Sequence, residues 1–73
     1  MHVGEVLRIS RVMLGKRQWE IGAVLYKDES YISRVENGRI TPNPQEVQRI
    51  AEFFESEVLE CIALGMAIKP MLK

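Results

Sequence analysis

The sequence predicts an all-α domain of five short helices built around a helix-turn-helix. Apolar residues recur at helical spacing, capping residues cut the chain into short segments, and two of those segments are joined by only a few residues. Seventy-three residues, 47% hydrophobic and 27% charged, make one domain over 1–73 with a small core and marginal stability.

The first helix is expected over 3–14, with Val3, Leu7 and Leu14 sharing a face, Val6 and Met13 widening it, and Gly15 ending it. Ile9 and Val12 lie off that face, either as scattered surface hydrophobics or as a second contact face. The second helix, 18–25, turns Ile21, Val24 and Leu25 inward. Its Gly22 costs about 1 kcal/mol relative to alanine and therefore implies close approach of the neighbouring helix. Trp19, in the first turn, either lies across the domain surface or meets sugar-phosphate or a protein partner.

The third helix, 29–36, carries its own signals: Asp28 to cap it and Gly38 to stop it. Ile32, Val35 and Glu36 fall on the packing side, and Ser30, Ser33, Arg34 and Asn37 on a polar edge suited to reading base pairs. Two prolines make 39–44 a loop, and Asn43-Pro44-Gln45-Glu46 opens a fourth helix, 44–54, with core residues Val47, Ile50, Ala51 and Phe54. Ser56 is read as the cap of a fifth helix, 57–66, facing Leu59 and Ile62 inward, with Gly65 or Pro70 as its stop. The tail 66–73 is apolar enough to pack on its own domain or on a second copy.

Cys61 is alone, which excludes an internal disulfide or a cysteine metal cage and favours a reducing compartment; at its helical position it is a small core or interface residue. With no signal-peptide pattern and no membrane-length apolar run, the chain reads as cytoplasmic. His2 is the only histidine, at what reads as a frayed end, and there is neither a Gly-rich phosphate loop nor a spaced metal-ligand set. No enzyme, metal or cofactor is expected. Net charge is zero, but residues 1–39 hold seven bases against five acids and residues 40–73 three bases against five acids. The first half is therefore the one suited to face phosphates.

Leu7-Arg8, Arg11, Gly15, Gln18, Ile21, Leu25, the run Ser30-Tyr31-Ile32-Ser33-Arg34-Val35-Glu36-Asn37-Gly38, Arg39, Pro42 and Ile50-Ala51 together resemble the Cro/cI-type (XRE) helix-turn-helix family. The resemblance covers roughly 4–64 and implies a lambda-repressor-like domain whose helix-turn-helix pair, about 18–37, sets the third helix in the major groove. By that resemblance Glu29, Ser30, Ser33 and Arg34 read bases, while Arg17, Gln18, Tyr31, Asn37 and Arg39 hold phosphates. Arg34 suits guanine O6 and N7, its competing reading being a surface arginine paired with a carboxylate of the fourth helix. Arg11 and Glu36 match a structural ion pair between helices one and three.

The chain departs from the pattern in three places. Tyr26-Lys27 replace a glycine and an apolar residue, so Tyr26 must adopt an unfavourable conformation or the turn must change shape. Lys16-Arg17 replace a core residue and a cap, adding charge near phosphate, and Asp28 and Glu29 put carboxylates where phosphate would approach. Two functions follow. The first is a repressor-like regulator binding a double-stranded operator as a homodimer through the apolar C-terminal helix and tail. The second is a protein-interaction module, an antirepressor or adaptor, on the same fold.

Overall fold

Local capping chemistry decides where three of the four helices begin and end. In the computed structural model, which describes the backbone of residues 2–72 and the side chains of residues 2–59, α1 spans Val3–Met13, α2 Gln18–Leu25, α3 Glu29–Glu36 and α4 Pro44–Leu72. Asp28 accepts the Tyr31 N–H at 2.9 Å to open α3. At the start of α4, Asn43 Oδ1 accepts the Glu46 N–H at 2.8 Å and the Asn43 N–H returns to Glu46 Oε1 at 3.1 Å, a reciprocal cap. Gly15 and Gly38, at φ of 68° and 77°, take the left-handed turn that lets the chain leave α1 and α3.

The expected break before a fifth helix is absent, because α4 continues for 29 residues through Ser56 and Gly65. No glycine or proline interrupts it between Pro44 and Gly65, and a serine inside a helix costs at most about 0.7 kcal/mol. Continuing the helix forms another backbone bond with each residue, which outweighs the single cap Ser56 could supply. The side-chain packing expected of Ile62, Cys61 and the tail 66–73 lies outside the described residues.

Leu7, Ile21, Leu25, Ile32, Val35 and Ile50 form the buried core, with Val24, Tyr31, Ile40, Phe53 and Phe54 half-buried around it. Two expected stripes are narrower than the periodicity suggested. On α1 only Leu7 of the apolar stripe is buried, while Val3, Val6 and Met13 are exposed; on α4 only Ile50 is buried, while Val47, Ala51 and Leu59 are exposed. The reason is the order of packing. α1 packs mainly on α3 and α4 mainly on α2, so α1 and α4 meet at Leu7 and Ile50 in the core and flank an open cleft above it. That cleft, about 230 Å³, is lined by Val3, Val6, Leu7 and Ser10 on one wall and Val47, Ile50, Ala51 and Phe54 on the other. Among the described residues no helix is long and apolar enough to cross a membrane.

Candidate nucleic-acid interface

The joint between α2 and α3 sets the direction in which α3 points. Tyr26 occupies it at φ 58° and ψ 38°, the left-handed region, with its side chain 88% exposed. The turn therefore keeps the shape a glycine would give it, and the tyrosine absorbs a backbone cost of about 1–2 kcal/mol. The Lys27 N–H closes the turn on the Gly22 carbonyl at 2.8 Å. A Cβ on Gly22 would stand 2.5 Å from the Lys27 carbonyl oxygen, so what this glycine admits is the turn itself and not the neighbouring helix expected from the sequence.

α3 presents Glu29, Ser30 and Arg34 to solvent, with Ser33 half-buried beside them. Arg34 is exposed, and among the described residues no carboxylate, of the fourth helix or elsewhere, pairs with its guanidinium. Asn37 is exposed at the end of α3, where its Nδ2 donates to the Ser33 carbonyl at 2.9 Å. Arg39 is exposed too, held by its backbone N–H on the Arg34 carbonyl at 2.8 Å. Tyr31 is half-buried, and its hydroxyl donates to Glu46 at 2.8 Å. Burial, with the Glu46 hydrogen bond adding to it, pushes the phenol above its ordinary value. Glu46 thus serves both the α4 cap and α3, a double use that no spacing in the sequence signals. Lys27 is exposed, with its ammonium 5.2 Å over the Tyr31 ring, and so is a further cation next to this edge.

Beneath the edge is a polar lock. Glu36, 6% exposed, accepts from Arg11 Nε at 2.7 Å, Arg11 Nη2 at 3.0 Å and Gln18 Nε2 at 3.2 Å. Arg11 Nη1 also donates to the Lys16 carbonyl at 3.0 Å, which draws the entrance of α2 into the same network. The Glu36 hydrogen bond, reinforced by its charge, raises the Arg11 value. No buried side-chain nitrogen or oxygen among the described residues lacks a partner. The network joins α1, α2 and α3 at one carboxylate, so the angle between the α2 entrance and α3 is tied to a charge that cannot be left unpaired. Gln18, half-buried at the first position of α2, has one amide hydrogen held by Glu36.

Arg17 caps α2 with its side chain exposed, and its N–H is held by Glu20 Oε1 at 3.2 Å. Lys16 goes elsewhere than toward the anion side its sequence position suggested: its ammonium sits 2.9 Å from Glu57, tying the α2 entrance to α4. His2 is likewise not frayed. Its Nδ1 accepts the Glu5 N–H at 3.3 Å as the cap of α1, and its ring lies against Gly38 at the exit of α3. Histidine is an uncommon cap, so composition offered no signal for this contact.

The helix-turn-helix family profile matches residues 7–60, from Leu7 in α1 into α4. No curated protein and no solved structure matches the chain.

Proposed function

The chain belongs to the Cro/cI-type (XRE) helix-turn-helix family of DNA-binding regulators, and from that membership we propose that it is a sequence-specific, repressor-like regulator of transcription. The reading rests above all on one observation: α3 turns Glu29, Ser30 and Arg34 to solvent while Arg11, Glu36 and Gln18 hold it rigidly from behind. A short helix braced in this way enters a major groove without losing order on binding. Arg34 then takes guanine O6 and N7, Glu29 accepts from cytosine N4, and Ser30 and Ser33 adapt to either neighbour. Arg17, Asn37, Arg39 and the free face of the Gln18 amide hold phosphates, with Tyr31 positioned through Glu46 at the same border. One small domain offers few contacts, so the operator is bound by a homodimer with half-sites about 10 bp apart.

Selection of bound duplexes from a random pool, followed by a salt series on the selected site, tests this. The expected result is a two-fold-related consensus and an affinity that falls steeply as salt rises. A chain that binds no duplex even at low salt does not read DNA. The specific observations favouring a protein-interaction module are the zero net charge and the exposed carboxylates Asp28 and Glu29 at the leading end of α3. In that reading the same edge grips a basic surface on another regulator.

A further inference from the structure

Val47, Ala51, Phe54, Val58, Cys61, Gly65, Ile68 and Leu72 follow one another along α4 at alternating steps of four and three. That is the a/d seam of a heptad repeat sustained over nearly the whole helix. Of its described positions the domain uses only Phe54, half-buried against the core. Val47 and Val58 are 37% and 43% exposed and Ala51 is exposed, and the first three seam positions form the α4 wall of the apolar cleft opposite α1. Farther along, residues 61–68 contain no charged residue and are apolar or small on every side of the helix, a pattern that requires cover all round. An uninterrupted helix cannot bring this half back to its own cleft.

We propose that the cleft between α1 and α4 receives the second half of α4 from another copy of this chain, in an antiparallel, two-fold pair centred between Leu59 and Glu60. This deepens the homodimer reading above and depends on it, not on DNA recognition. Two features of the sequence choose the antiparallel sense. With that centre Phe54 stands opposite Gly65 of the other copy, Ala51 opposite Ile68 and Val58 opposite Cys61, so a larger residue meets a smaller one at these three levels, while Val47 and Leu72 close the ends of the seam. Charge points the same way: residues 46–60 hold five acids against one base, whereas 61–73 hold two lysines and no acid. An antiparallel pair sets each basic end beside an acidic stretch, and a parallel pair sets acid beside acid.

The test combines sedimentation of the natural chain with mixing of two full-length variants, Phe54→Cys and Gly65→Cys, each also carrying Cys61→Ser. The natural chain should sediment as a dimer, and the mixture should give a disulfide between the two variants that neither forms alone. Ala51→Lys, at a position exposed in the single chain, should leave the helical circular dichroism intact while weakening the dimer at least about tenfold. A folded monomer at high protein concentration overturns the proposal, as does an undiminished dimer from Ala51→Lys. A dimer that gives no 54–65 disulfide overturns the antiparallel register while leaving the homodimer reading standing.

Discussion

Glu36 and Val6 lie in α3 and α1, and their surroundings differ in kind. Glu36 is 6% exposed and accepts three hydrogen bonds from two other segments, whereas Val6 is 51% exposed at the rim of a cleft that its own domain leaves open. Around Glu36 a buried charge has one acceptable arrangement, because any displaced donor leaves an unpaired group in low dielectric. Around Val6 the forces are non-directional and the residue tolerates many neighbours. A small domain thus spends its directional interactions where the orientation of α3 must be held and leaves its surplus apolar surface where another surface can cover it.

The largest expected effect tests that contrast directly. Glu36→Ala removes the acceptor and leaves the half-buried Arg11 guanidinium without its carboxylate, holding only the Lys16 carbonyl, a loss of about 3 kcal/mol that is a large share of the stability of a domain this size. Val6→Thr, across the molecule, should change stability by less than about 0.5 kcal/mol when both substitutions are made in the Ala51→Lys chain, whose cleft is uncovered. Urea denaturation followed by circular dichroism measures both, and similar losses would erase the distinction between the two regions. Next in size is Arg34→Ala, expected to lose roughly 1–3 kcal/mol of preference at one base pair while keeping the others, measured by competition among single-base operator variants. Uniform losses at every position would assign Arg34 to phosphate.

Tyr26→Gly should stabilise the chain by roughly 0.5–1 kcal/mol, because relief of the left-handed strain exceeds the extra freedom glycine gains when unfolded. A destabilised variant in thermal melts would mean that the exposed ring makes a contact that matters to the joint. The smallest effect is a pH dependence. The Tyr31 phenol titrates above its ordinary value, so its contribution to stability is fully present below about pH 10 and disappears as pH rises through the folded-state value. Tyr31→Phe should remove that alkaline decline, which stability curves between neutral and strongly alkaline pH would reveal.

Much of the helix-turn-helix was legible in the chain. Asp28, Asn43, Glu46, Gly15 and Gly38 act within a few residues of themselves, and local chemistry of this kind needs no knowledge of the rest of the fold. Less legible was the reach of α4. Ser56 carries a cap's chemistry, but whether a cap or another helical turn wins depends on what surrounds the segment. The helical periodicity of α1 and α4 was also read as more burial than occurs, since an apolar stripe looks the same whether its own domain or another chain covers it.

By itself the sequence determined the family, the helix boundaries through α3 and the polar residues available on the exposed edge of α3, because capping, periodicity and side-chain chemistry are properties of short segments. Only the tertiary structure decided that Gln18 and Arg11 converge on Glu36, that Tyr31 is anchored by Glu46, that Lys16 pairs with Glu57, and that α1 and α4 leave a cleft between them. Those outcomes join residues far apart in the chain, and no local propensity encodes which of several donors and acceptors will meet once the helices have packed.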